Sequence, residues 1–222
     1  NWCGVTLDTS IPDYDEGDVI INEIMWGGTS EHELDSYIEL FNNTDEEINL
    51  SGWLIYGSGP DSHPIELTGT VGPQGYYLIT HYPTDHDKGN DKAAILDELG
   101  QDQVEKSLHL RTQGEKLILE DPLGNIIDQT PDTGPGNDGW EAGEASPHGP
   151  WRSMERDDDG DGWHSSCENE EYWDYNGGDD YGTPRHENSN DNCEIDPEII
   201  IKPIIPIEPP IIIEPIPQLT PQ

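Results

Sequence analysis

Residues 19–26 read VIINEIMW and residues 36–42 read SYIELFN. The first is an apolar run rich in β-branched side chains. The second alternates apolar and polar residues, the period of a strand with one buried face. Working outward, the same form recurs. Residues 46–50 lead into Ser51-Gly52-Trp53 and then Leu54-Ile55-Tyr56, and residues 75–81 (GYYLITH), 114–120 (GEKLILE) and 125–128 (NIID) follow. Each run is short and bounded by Gly, Pro, Asn or Asp, which predicts an all-β chain built as an antiparallel sandwich or barrel. Residues 91–103 are the only stretch with helical character, and it is weak. Trp53 follows a Ser-Gly turn and opens an apolar strand, so it is assigned to the core. Glu23 and Glu39 lie inside strands and are open to two readings: buried and hydrogen-bonded, or facing water.

The composition narrows the function. The chain has 222 residues, with 9 Lys+Arg against 48 Asp+Glu, a formal charge of −39. That charge repels phosphate backbones and excludes nucleic acid as a partner. No apolar run approaches the ~20 residues of a membrane helix. With 24 Gly and 19 Pro, and little Ala or Leu, a helical bundle is disfavoured. So acidic a surface calls for counter-charge from divalent cations, high salt or cationic partners. No signal-peptide pattern opens the sequence, and Asn1-Trp2-Cys3 reads as a mature start. The three cysteines, in an extracellular or cell-surface protein, form one pair and one leftover thiol. Cys167 is expected to pair with Cys193, with Cys3 either free or cross-linking subunits.

Several motifs in order resemble the lamin-tail domain, an immunoglobulin-like β-sandwich found in nuclear lamins and in many secreted bacterial and archaeal proteins. They are Ile20-Ile21-Asn22-Glu23-Ile24, Tyr37-Ile38-Glu39-Leu40-Phe41-Asn42, Ile48-Asn49-Leu50-Ser51-Gly52-Trp53, Gly75-Tyr76-Tyr77-Leu78-Ile79, Gly114-Glu115-Lys116-Leu117-Ile118-Leu119 and Gly124-Asn125-Ile126-Ile127-Asp128. Trp151-Arg152-Ser153-Met154-Glu155-Arg156 and Gly182-Thr183-Pro184 with Glu187-Asn188 are similar to the closing motifs of its microbial branch. The resemblance implies an immunoglobulin-like antiparallel β-sandwich over residues 18–193, after an arm at 1–17 and before a long extended C-terminal tail at 194–222. It also implies a binding or scaffolding module with no shared catalytic set, hence not an enzyme. The sequons Asn42-Asn43-Thr44 and Asn49-Leu50-Ser51 coincide with these motifs, and glycosylation of Asn42 or Asn49 stays open.

The segment 157–181 is rich in acids. Asp157-Asp158-Asp159-Gly160-Asp161-Gly162 continuing to Glu168 has the spacing D-x-D-x-D-G-x5-E, the oxygen-ligand pattern of a calcium loop. Carboxylates at alternate positions converge when the chain turns tightly. Asp157, Asp159, Asp161 and Glu168 are the expected ligands, with a backbone carbonyl from His164 or its neighbour. A second metal set is Asp174, Asn176 and Asp179. Weaker clusters lie at residues 85–91 and 13–18. The alternative for each is a polar turn. No zinc spacing, nucleophile elbow, phosphate loop or dinucleotide fingerprint is present.

In the tail, every odd position from 195 to 219 is apolar or Pro, and every charged residue is at an even position. Ile199, Ile201, Ile205, Ile207, Ile211 and Ile213 therefore share one face if the tail is a strand. A six-residue repeat, marked by Pro203, Pro209 and Pro215, also fits polyproline II, and both forms are extended. At ~3.1–3.3 Å per residue the ribbon reaches roughly 80 Å, against about 40 Å for the body. Prolines blunt one edge more than the other, which suits a strand added to an exposed sheet edge. Burying its isoleucines supplies over ~10 kcal/mol before ordering costs. The expected function is a secreted structural subunit of an extracellular fibre, a homopolymer built by tail docking on a neighbouring copy and stabilised by calcium. The alternative is a calcium-dependent adhesion or glycan-binding module on a proline-rich stalk, with Trp163, Tyr172, Trp173 and Tyr175 stacking on sugars.

Overall fold

The computed structural model describes residues 12–58, 63–85, 93–133, 139–145, 150–157, 160–168, 172–173 and 180–190. The tail isoleucines, Cys3, Cys193, Asp159 and the set Asp174, Asn176 and Asp179 lie outside them.

The described chain is all-β and forms an immunoglobulin-like sandwich. Fourteen strands follow in order: β1 (Val19–Met25), β2 (Tyr37–Asn42), β3 (Ile48–Asn49), β4 (Leu54–Tyr56), β5 (Ile65–Glu66), β6 (Thr70–Val71), β7 (Tyr76–Thr80), β8 (Gln103–Val104), β9 (Ile118–Glu120), β10 (Ile126–Gln129), β11 (Trp151–Arg152), β12 (Met154–Arg156), β13 (Trp163–Ser165) and β14 (Asp180–Tyr181). One sheet has the order β13-β12-β1-β2-β7-β8. The facing sheet has the order β10-β9-β4-β5, and β3-β6 and β11-β14 form small pairs. Most pairings are antiparallel, while β7–β8 and β11–β14 are parallel.

The core lies between the two large sheets. Ile21, Ile24, Ile38, Leu40, Ile79 and Met154 from one meet Ile55, Leu119 and Ile127 from the other around Trp53, which is fully buried. Tyr14 covers the Trp53 ring edge-on, with centroids 4.9 Å apart, so part of the arm belongs to the body. Gly57 takes φ 84 where β4 runs beside β9, and a Cβ there would overlap the Lys116 carbonyl. Only glycine fits that approach.

The helical expectation for residues 91–103 is corrected. Residues 93–103 hold a β-bridge from Ile95 to Trp173, a turn, and the start of β8, with no helix. Ala93, Ala94 and Ile95 are buried consecutively, beside Met25, Tyr37, Leu78 and Trp173. Tertiary burial on consecutive positions overrides a weak helical propensity.

Candidate functional site

A bulge decides where the acids of β1 go. The register of β1 against β2 shifts between Ile21 and Glu23. Val19, Ile21 and Ile24 all stay in the core, so Asn22 and Glu23 share the opposite face. Three rows of side chains then cross the outer face of the six-stranded sheet. The first is Ile20, Phe41 and Tyr76. The second is Glu155, Glu23, Glu39 and Leu78. The third is Met25, Tyr37 and Thr80.

The second row places three glutamates side by side on β12, β1 and β2, all fully buried. Residues 182–190 form a strap over them. The Thr183 N–H donates to Glu23 Oε1 at 2.9 Å, and the Arg185 N–H to Glu39 Oε2 at 2.5 Å. Glu155 accepts the Thr183 hydroxyl at 2.9 Å, the Ser189 N–H at 2.9 Å and the Ser189 hydroxyl at 2.5 Å. Asn22 and Asn188 exchange amide hydrogen bonds, and the Tyr37 hydroxyl donates to Glu23 at 2.5 Å. Arg185 holds a left-handed φ of 66, unusual for a non-glycine residue. Its guanidinium is tied to Asp102 at 2.7 Å and to the Gly100 carbonyl. Gly182 has no room for a side chain: a Cβ would stand 2.5 Å from the Tyr37 hydroxyl and 2.7 Å from Glu23 Oε1.

The acids divide in charge. Burial pushes Glu23 up to about 8, aided by the neighbouring Glu155. Burial and the Glu23 charge raise Glu39 well above the usual carboxylate range. Burial alone would raise Glu155 too, but hydrogen bonds led by His164 and Ser189 outweigh it and hold it low. His164 is desolvated, yet bonds to Glu155 and Asp157 lift it to about 9. Glu155 is therefore the anion of the row, facing the His164 cation, and Glu23 carries a proton near neutrality.

A pH prediction follows from Glu23. Its folded pKa lies above its unfolded one, so its contribution is fully present below about pH 4.5 and is lost as pH rises through about 8. Glu23→Gln keeps an acceptor for Tyr37 and Thr183 and places an amide at the second oxygen, on the side where the Ser153 hydroxyl faces Glu23. Glu155, Glu39 and Tyr37 still face the site in the variant. The gain over wild type should be near zero at pH 5 and grow by several degrees of Tm by pH 9, bounded by about 5 kcal/mol. Parallel melting curves across pH 5–9 would refute the assignment.

Other sheltered polar groups are also structural. Asp35 accepts the Thr29 hydroxyl and the Ala94 N–H, both at 2.7 Å, and burial pushes it up to about 7. Asp180 accepts the Ser30 N–H at 2.8 Å. The Asn42 amide is fully buried and donates to the carbonyls of Glu46 at 2.7 Å and Gly72 at 2.8 Å. It shapes a turn and does not present a sugar acceptor, whereas Asn49 is exposed.

In the acidic loop, Asp157 Oδ1 pairs with His164 Nδ1 at 2.7 Å. Its carboxylate curls over Gly162, where any Cβ would overlap it. The Gly160 N–H donates to the Asp157 carbonyl at 2.8 Å and the Asp157 N–H to the Gly162 carbonyl at 3.0 Å, closing a tight turn. The Glu168 carbonyl accepts the Gly182 N–H. Asp157 and Glu168 thus flank the strap from one side. Among the described residues no group of three or more His, Cys, Asp or Glu is placed to hold a metal. Of the proposed sugar-stacking rings, Trp173 is buried, Trp163 lies under the Arg156 guanidinium at 4.6 Å, Tyr172 packs on His186 at 4.4 Å, and Tyr175 lies outside the described residues.

Sequence reasoning flagged Glu23 and Glu39 but missed Glu155, Asp35 and Asp180. The available signal for Glu155 was its place within Trp151–Arg156, followed later by Gly182-Thr183-Pro184. Its partners come from the strap, and no local period points to them. Among the described residues, no helix is long and apolar enough to cross a membrane.

No curated protein matches the chain. The family model described as Lamin Tail Domain matches residues 12–133, more than half of the sequence. β12, β13 and the strap lie beyond that match and continue the same sheet and its cover. With the sandwich, the Ser51-Gly52-Trp53 core turn and this match together, the chain belongs to the lamin tail domain family.

Proposed function

We propose that the chain is a secreted, non-catalytic structural subunit that assembles through its C-terminal tail, with calcium rigidifying the acidic loop. The family supports a structural or adhesion-type role rather than an enzymatic one. The observation that carries the non-catalytic reading is the state of the buried glutamates. An acid–base pair must reach its substrate, whereas Glu23, Glu39 and Glu155 are fully enclosed and accept the hydrogen bonds of the strap. They clamp; they do not face a ligand.

Asp157, Asp159, Asp161 and Glu168 are the residues that would hold calcium, and the tight turn at Gly160–Gly162 suits a loop of oxygen donors. The ion would neutralise part of the −39 charge that sets copies apart. Cys167 would pair with Cys193 and fix the chain where it leaves the strap, since the Cys167 N–H already meets Ser189 Oγ at 3.2 Å.

The test removes residues 195–222. The wild-type chain should form elongated particles by electron microscopy, shortened by a calcium chelator. The truncated chain should melt as before but stay single. Particles unchanged by the truncation would end the tail mechanism.

A further inference from the structure

Of the three rows on the outer sheet face, the strap covers the second. The third packs beneath Ala93, Ala94 and Trp173. Among the described residues the first stays open. Ile20, Phe41 and Tyr76 stand on neighbouring strands, half-buried, with the Phe41 and Tyr76 rings 5.1 Å apart. They floor a groove of about 340 Å3 walled by Arg156, Glu187 and Asn188. The wall's hydrogen-bonding capacity is largely spent internally. Arg156 is bound to Asp128 and the Ile21 carbonyl, and Asn188 to Asn22 and the Arg156 carbonyl. What the groove offers is an apolar floor with Glu187 at its rim, since the Asp157 carboxylate there is already paired with His164.

We infer that this groove seats one repeat of the isoleucine–proline tail of a second copy; the inference rests on the tail-docking reading above and gives it an address. Three side chains on adjacent strands span roughly 10 Å, and alternate side chains of an extended chain stand about 6.5 Å apart, so the two side chains of an Ile-x-Ile pair fit within the row. That pair occurs three times, each followed by a charged residue and Pro: Ile199 to Pro203, Ile205 to Pro209 and Ile211 to Pro215. The first carries Lys202, the one Lys or Arg after Arg185, which matches Glu187 at the rim. The described chain ends at Asn190, two residues past the wall residue Asn188, and residues 191–222 follow it. One groove takes one repeat, so a chain's own groove leaves at least two of the three repeats for neighbouring copies.

Full-length variants test this by sedimentation. Phe41→Asp destroys the groove, with Tyr76→Ser as a milder second variant. Ile201→Asp, Ile207→Asp and Ile213→Asp combined destroy the tail. Thermal melts check that each folds. Groove and tail variants should each run at the mass of one chain, and mixed together they should form a complex larger than either, because the intact tail of one then meets the intact groove of the other. Wild type should run larger. If both groove variants assemble like wild type while the tail variant does not, the groove is overturned and tail docking survives elsewhere. If the tail variant also assembles, the underlying reading fails as well. A single-chain wild type that binds fluorescent oligosaccharides, with binding lost in Phe41→Asp, assigns the groove to sugars and overturns it.

Discussion

Replacing Glu155 with alanine should cost about 3–5 kcal/mol and free the strap. Glu155 is fully buried and receives the Thr183 hydroxyl, both donors of Ser189 and the His164 ring nitrogen at 3.2 Å. Alanine removes every acceptor at once. The His164 cation is left half-enclosed with only Asp157 and the Ser189 carbonyl, and three strap donors lose their partner without access to water. The loss should appear in urea unfolding as a lower midpoint. Amide exchange should localise it, with protection falling over residues 182–190 before the core strands respond. A variant that unfolds earlier but keeps strap protection up to global unfolding would show that Glu155 does not hold the strap. Glu155→Gln keeps one acceptor and should fall between the two.

Trp53→Ala should cost about 3–5 kcal/mol through the cavity it opens. The indole is enclosed between the two large sheets and touched edge-on by Tyr14. For a chain of this size that corresponds to a fall in Tm of roughly 6–20 °C. The indole N–H has no hydrogen-bond partner among the described residues, so the loss is one of packing alone. Trp53→Phe should recover most of it. A drop below 1 kcal/mol would mean that the sheets close over the gap.

The contrast between these two residues shows what the sequence carries. Trp53 is legible because its cause is local: a Ser-Gly turn followed by an apolar strand. The strands from β1 to β4, with β7, β9 and β10, are legible for the same reason. β5, β6, β8 and β11–β14 are just as short as β3, β4 and β9 but lack a longer apolar or alternating run around them, and are formed by what they lie against. Glu23 and Glu39 were visible as acids inside strands, but their burial depends on the bulge at Asn22 and on donors from the strap. Without those donors a strand glutamate faces water. The calcium spacing was legible as a pattern, yet the pairing of Asp157 with His164 needs the hairpin of β12 and β13.

The distance along the chain between the glutamates and their cover bears on how the protein is made. Glu39 waits for Arg185, 146 residues later. At ribosomal rates of ~5–20 residues per second, Glu39 is translated roughly 7–30 s before Arg185. Until the strap arrives Glu23 and Glu39 lack that cover, and an uncovered carboxylate is ionised at neutral pH and repels the like charges of other chains. Closure of the strap then excludes water and lets Glu23 take up a proton.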